Sequence, residues 1–329
     1  MRLSQLSTPL CIATLALVSA CQSQPGRPDA APAAANTVAS GCGAADDAFL
    51  ATLWQQTAAE YRALSLQVYA RADDALARAL ADPEWNALHP AERPAAPATD
   101  RIALIADIDE TLLDNSGFAV REMRRKAAAC GGPGKPTSDQ DEPDFQKRWQ
   151  EWVVDRQAPA LAGAAQFFRH AAEQPKVQVF YITNRLDAEK EVSCRNLIRV
   201  GFPVFDCQAQ VLTRNDSNGR GKDKVSRRMQ IGKLYRVALL FGDNLGDFTG
   251  NVLTTPAERA ALVEAHRDWW GERWFILPNP LYGSWLEVQS RVGDGQTFRS
   301  ERERQGHIRS TQEKSLKDCL DLDCLDAGL

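Results

Sequence analysis

Hydrophobic and polar positions alternate with two different textures along the chain. From Ala45 to Ala81, apolar residues such as Leu53, Ala58, Tyr61, Leu64, Val68, Ala72, Leu76 and Leu80 recur at three- and four-residue spacing. That period predicts a helix with one buried face. Pro83 ends it, and the Pro-rich stretch His89 to Pro97 reads as a linker. Beyond it the texture changes. Ile102 to Ala106 is a short continuous apolar run, the pattern of a strand covered on both faces. Val177 to Ile182, Val237 to Phe241 and Trp274 to Leu277 repeat it. Helical patterns at Leu161 to Ala172, Ala188 to Val200 and Asp223 to Leu234 separate these runs. Strands alternating with helices predict an α/β domain with a parallel sheet.

In such sheets chemistry collects beyond the carboxyl ends of the strands. The first three runs lead into Asp107, Thr183 and Asp243, each a polar residue following a buried segment. Asp107 and Asp109 are two apart, so on extended backbone their side chains share a side. Two carboxylates facing one way repel, and a positive charge should lie near them. Mg²⁺ fits, because it prefers oxygen ligands and keeps part of its water shell. Asp243 and Asp247, after the third run, supply a second carboxylate pair for a metal site, and Gly242 permits close backbone approach. After the second run, Thr183, Asn184 and Arg185 offer hydroxyl, amide and guanidinium donors suited to phosphate oxygens. Lys222 and Lys224 stand where a helix opens, either one able to neutralise a phosphate and a nucleophile.

The ends of the chain change the picture of where it works. Met1 to Leu3 is a positive start, and Cys11 to Ala20 is too short an apolar run to span a bilayer. Residues 1–20 therefore read as a signal sequence. Leu17-Val18-Ser19-Ala20-Cys21 looks like a bacterial lipobox, which makes Cys21 the expected lipidation site and membrane attachment. Gln22, not Asp, follows that cysteine, which favours an outer-membrane lipoprotein facing the periplasm or cell surface. Residues 21–46, rich in Ala, Pro, Gly and Ser, form the expected tether, and 291–329 the expected charged tail. Of eight cysteines, six remain once Cys11 and Cys21 are set aside. Six allow fifteen pairings, and no C-x-x-C spacing marks a zinc site. Net charge is −4 from 39 basic and 43 acidic side chains, which argues against a nucleic-acid partner. A small phosphorylated ligand needs only local positive charge.

Four motifs at strand ends, in this order, resemble the haloacid-dehalogenase-like superfamily. More closely, the chain resembles the class C acid phosphatases, also called lipoprotein-type 5′-nucleotidases. The matching text is IADIDETLLDNSGF at Ile105 to Phe118, FYITNR at Phe180 to Arg185, DKVSRR at Asp223 to Arg228, and FGDNLGDF at Phe241 to Phe248. RWQEW at Arg148 to Trp152 and FILPNPLYGSW at Phe275 to Trp285 add to it. The resemblance implies an HAD-like phosphatase domain over 47–290, with a small, mainly helical cap from the N-terminal helix 47–82 and an insert of about 118–157. It implies Asp107 as nucleophile, Asp109 as general acid and base, and Lys224, through the D-K-x-x-R-R frame, as catalytic lysine. Asp107, Asp243, Asp247 and the backbone carbonyl at Asp109 become the Mg²⁺ ligands. Thr183 becomes a phosphate contact, Trp149 and Tyr282 aromatic neighbours of the leaving group, and a homodimer a possibility. Expected substrates are nucleoside 5′-monophosphates and aryl phosphates. Relatives often carry a further acid where this chain has Gly246, which bears on metal affinity.

Other readings fit less well. A dehalogenase has no need of Asp109. None of the four histidines lies in an R-H-G context, and no cysteine heads a C-x-x-x-x-x-R loop. A surface lipoprotein that only binds would be expected to have lost at least one of Asp107, Asp109, Lys224, Asp243 and Asp247.

Overall fold

A computed structural model describes residues 48–130, 142–155, 158–218 and 220–289, together with residue 310. Residues 1–47, which hold the expected signal sequence, Cys21 and tether, residues 131–141 of the insert and nearly all of the expected tail lie outside the described residues.

Five strands form one parallel sheet: β1 (Ile102–Ala106), β2 (Val177–Leu186), β3 (Val211–Arg214), β4 (Arg236–Gly242) and β5 (Trp274–Ile276). Their spatial order is β3-β2-β1-β4-β5. The chain winds outward from β1 through β2 and β3, then returns to the other side of β1 for β4 and β5. The order therefore reverses between β1 and β4, which places a topological switch point there. Both faces of the sheet are covered, so the β1 residues split between two cores. Ile102, Leu104 and Ala106 pack with Tyr69, Leu76, Phe167, Phe168 and Phe241. Ala103 and Ile105 pack with Leu88, Ile231, Phe248 and Trp274. That two-sided burial accounts for the unbroken apolar runs.

The remaining helices are α1 (Phe49–Thr57), α2 (Ala59–Ala81), α3 (Ser116–Cys130), α4 (Glu142–Asp155), α5 (Ala164–Glu173), α6 (Lys190–Arg199), α7 (Cys207–Gln210), α8 (Val225–Gly232), α9 (Pro256–Ala265) and α10 (Ser284–Gln289). Three local differences from expectation have physical reasons. The single N-terminal helix is two, because Ala58 is extended at ψ 125° and its N–H caps Trp54. The short edge strand β3 has only Val211 and Leu212 as apolar residues, too few for a continuous apolar run. The Pro-rich stretch is no linker: Leu88 is buried, Ala87 N–H donates to Val237 O at 2.7 Å, and Pro90–Glu92 forms a 3₁₀ turn. Within the open set of six cysteines, Cys194 and Cys207 form a disulfide that joins α6 to α7.

Candidate active site

The site lies past the carboxyl ends of β1, β2 and β4, and β1 divides it in two. On the β4 side, Asp107 leaves the strand with its N–H donating to Phe241 O at 3.0 Å. Its carboxylate meets Lys224 Nζ, which also donates to Asp247 Oδ1 at 2.7 Å. Asp107, Asp243 and Asp247 each offer an oxygen, and these atoms lie within 4.8 Å of one another. Asp243 accepts from Thr111 Oγ1 at 3.3 Å and Asn279 Nδ2 at 2.8 Å, while Asp247 accepts from Asn244 N–H at 3.0 Å. Gly242 is required here, since a Cβ on it would run into the Asp247 side chain.

Electrostatics on this side is unbalanced. Burial, reinforced by Asp247 and Asp109 and opposed by Lys224, pushes Asp107 up to about 6. Burial and the charges of Asp247 and Asp107 push Asp243 well above the carboxylate range. Burial alone would lower Lys224, but Asp107 and Asp247 outweigh it and hold the ammonium above its ordinary value. Three clustered carboxylates around one lysine form an oxygen-rich donor set with surplus negative charge, and a hard divalent cation fits it.

On the β2 side, Asp109 meets Arg185 instead. Arg185 Nη2 donates to Asp109 Oδ1 at 2.7 Å, and Nε lies 3.1 Å from both carboxylate oxygens. Arg185 Nη1 donates to Ser193 Oγ at 3.0 Å, and the guanidinium lies 5.6 Å from the Trp149 ring centre. The Arg185 fork is thus engaged by Asp109 and Ser193, a partnership the sequence did not show. The two aspartates do not share one cation either. Extended backbone ends with β1 at Ala106, and Glu110 turns the chain with φ 57°, so each carboxylate meets its own partner. Thr183 is buried; its hydroxyl accepts from Arg185 N–H at 3.1 Å and lies 3.5 Å from Asp109 Oδ2. Asn184 Oδ1 accepts from Arg227 Nη2 at 2.9 Å.

Between Lys222 and Lys224 the fold decides. Lys222 is exposed and pairs with Glu287, whereas Lys224 is buried against Asp107.

A family model described as HAD superfamily, subfamily IIIB (Acid phosphatase), matches residues 10–285. The chain belongs to that family. Two solved structures of the class C acid phosphatase from Bacillus anthracis, one with tungstate bound, each superpose with TM-score 0.63. They are 28% and 29% identical, over 81% of this chain and 96% of theirs. Acid phosphatase 1 of Solanum lycopersicum is 24% identical over 181 residues, and the match spans 57% of that protein.

Within this acid phosphatase fold, a cleft of about 1160 Å³ opens over the strand ends. Asp107, Asp109, Asn184, Arg185, Lys224, Asp243 and Asp247 line its floor, and Phe118, Phe145, Trp149 and Tyr282 its walls. Phe118 packs edge-on against Trp149, with ring centres 5.2 Å apart. Tyr282 is 44% exposed, and its hydroxyl donates to Glu110.

Several residues here carried no separate sequence signal. Glu110 is fully buried and in the left-handed region, a conformation that costs a non-glycine residue about 1–2 kcal/mol. It accepts from Asn115 N–H at 2.8 Å. Arg227, also fully buried, donates to Thr183 O at 2.6 Å and Gly221 O at 3.0 Å, so it pins the second motif to the lysine loop. Arg228 makes a two-pronged pair with buried Glu92 at 2.7 Å and donates to Gly246 O. That pair anchors the Asp243–Asp247 loop from the stretch read as a linker. Only the position of Glu110 and Asn115 inside the Asp107 motif hinted at a role for them.

Proposed function

We propose that the protein is a metal-dependent phosphomonoesterase that forms an aspartyl-phosphate on Asp107. The observation that carries this reading is Lys224 bridging Asp107 and Asp247 beside Asp243, at the switch point of the sheet. Mg²⁺, held by Asp107, Asp243 and Asp247 with the Asp109 backbone carbonyl, would neutralise charge on the phosphoryl oxygens.

The residues divide the work as follows. Lys224 draws the phosphoryl group toward Asp107 and screens the attacking carboxylate. Asn184, near the end of β2 and lining the cleft, would receive phosphate oxygens, with Thr183 buried beside it. Asp107 attacks phosphorus, the bond to the leaving oxygen breaks, and Asp109 gives that oxygen a proton. Water then attacks phosphorus, Asp109 takes its proton, and Asp107 is released with phosphate. Phosphoryl transfer asks the protein chiefly for such positioning and charge.

The aromatic wall of Phe118, Phe145, Trp149 and Tyr282 supports aryl phosphates and nucleoside 5′-monophosphates as substrates, stacking being worth roughly 1–3 kcal/mol per base. Tungstate is a tetrahedral oxyanion like phosphate, and its presence in the Bacillus anthracis relative agrees with an oxyanion-binding family. The lipobox supports an outer-membrane lipoprotein acylated at Cys21, working at a bacterial surface or in the periplasm.

The test is hydrolysis of p-nitrophenyl phosphate and nucleoside 5′-monophosphates with Mg²⁺, with chelator, and by Asp107→Asn. Activity is expected in the first case only. No hydrolysis of any phosphomonoester at acid or neutral pH would leave a binding lipoprotein as the better reading. Loss of incorporated palmitate in Cys21→Ser would check the anchor.

A further inference from the structure

The Asp109 carboxylate is held unsymmetrically, and the asymmetry originates in the cap. Oδ1 receives three N–H groups: Asn115 Nδ2 at 2.9 Å, Arg185 Nη2 at 2.7 Å and Arg185 Nε at 3.1 Å. Oδ2 receives only the shared Arg185 Nε at 3.1 Å and the Thr183 hydroxyl at 3.5 Å. Arg185 Nε is shared equally between the two oxygens, so of about two lone-pair sites on Oδ1 one goes to Arg185 Nη2 and the other to Asn115 Nδ2, whereas Oδ2 retains capacity.

The direction of the Asn115 amide decides this, and Trp152 on α4 sets that direction. Trp152 Nε1 donates to Asn115 Oδ1 at 2.8 Å, in a buried contact. An indole nitrogen only donates, so the amide must present its oxygen to Trp152 and its NH₂ to Asp109. Two further contacts make the arrangement rigid. Asn115 N–H is held by Glu110 Oε1 at 2.8 Å, and a Cβ at Gly117 would lie 2.8 Å from the Trp152 ring. Asn115 and Trp152 are 3% and 5% exposed. Trp149, one turn earlier on α4, lies against Arg185, the other donor to Oδ1. One face of the cap helix therefore supports both groups that saturate Oδ1.

We propose that Asn115, oriented by the Trp152 indole, is a positioning residue that leaves Asp109 Oδ2 as the oxygen exchanging a proton with the leaving group. The inference rests on the phosphomonoesterase reading above. In the forward step the P–O bond to the leaving group breaks and the proton on Oδ2 passes to that oxygen. In the second step water adds to phosphorus and its proton returns to Oδ2. Without the Asn115–Trp152 pair Arg185 still holds the carboxylate, but one site on Oδ1 reopens, so either oxygen can carry the proton and it is misplaced.

Leaving-group dependence tests this. An alkyl phosphate needs its leaving oxygen protonated, whereas p-nitrophenolate departs with little help. General acid–base catalysis contributes about 10²–10⁴-fold, and a misplaced donor should forfeit roughly tenfold to a hundredfold of it on the alkyl ester. Full-length wild type, Asn115→Ala and Trp152→Phe are compared by kcat/KM on glycerol phosphate and p-nitrophenyl phosphate, with thermal melts alongside. Trp152→Phe removes the N–H and keeps a ring, so it carries the test if Asn115→Ala fails to fold. The expected result is a fall on the alkyl ester at least about fivefold larger than on the aryl ester in each folded variant, within the range of acid–base effects. Equal falls on both esters, or none, would overturn the proposal. A wild type inactive on both esters overturns the phosphomonoesterase reading itself, and this arm separates the two failures.

Discussion

Asp107 and Asp109 are two residues apart in sequence and sit in opposite electrostatic settings. Toward β4, Asp107, Asp243 and Asp247 crowd together, two of them paired with Lys224, and burial with mutual repulsion drives Asp107 and Asp243 above the ordinary carboxylate range. Toward β2, Asp109 is matched by a buried guanidinium, an amide and a hydroxyl. The first half has surplus negative charge and an oxygen-rich donor set that could hold a cation. The second is complete with the chain's own donors. On the proposed mechanism, the nucleophile would benefit from the former setting and the proton carrier from the latter.

The contrast can be broken in order of expected effect. Asp107→Asn removes the nucleophile and should cost at least about 10⁴ in kcat with substrate binding retained, measured by initial rates and isothermal titration. Residual turnover within tenfold of wild type would place the nucleophile elsewhere. Arg228→Leu leaves Glu92 buried without its partner and frees Gly246 O, which should cost about 3–5 kcal/mol in denaturant unfolding. The loosened metal loop should also weaken Mg²⁺ dependence of activity more than it changes the β2 side.

The third effect is a pH dependence specific to the β4 half. Asp107 stands at about 6 in the fold against an ordinary 3.8. A carboxyl raised by folding favours the folded state while protonated. That contribution is complete below the ordinary value and is lost as pH rises through about 6. Chelated wild type should therefore lose stability relative to Asp107→Asn between about pH 4 and pH 7, by an amount on the order of a few kcal/mol. Added Mg²⁺ should restore the wild type most at the upper end. Parallel melting curves for the two proteins across this range would refute the account. The smallest effect is expected of Lys222→Ala, which breaks an exposed pair with Glu287 worth at most about 1 kcal/mol. Comparing its rates with those of Lys224→Ala sharpens the assignment: a large loss for Lys222→Ala would reverse it.

The reading from sequence reached far where local chemistry dictates structure. Four of five strands were visible as apolar runs, because a parallel strand covered on both faces has no polar side. β3 escaped because only Val211 and Leu212 are apolar in it, so it shows no continuous apolar run. Asp107 and Asp243 stand together because the ends of β1 and β4 converge, while Thr183 lies inside β2, which runs on to Leu186. The partners of Arg185, Asp109 and Ser193, were not legible because nothing in Thr-Asn-Arg shows which way a long side chain will turn. Glu92 went unnoticed because a Pro-rich stretch looks like a connection until its partner Arg228, far along the chain, is in place.

By itself the sequence determined the fold class, the order of the four motifs and the carboxylates that could carry phosphate chemistry. These follow from periodicity and from residues adjacent to strands, both of which are short-range properties. Only the tertiary structure decided that Lys224 and not Lys222 meets Asp107, that Asp107 and Asp109 take different cations, and that Trp152 orients Asn115 toward Asp109. Those outcomes depend on contacts between residues up to 117 positions apart. They are settled by which charged groups can share a buried space at an acceptable desolvation cost.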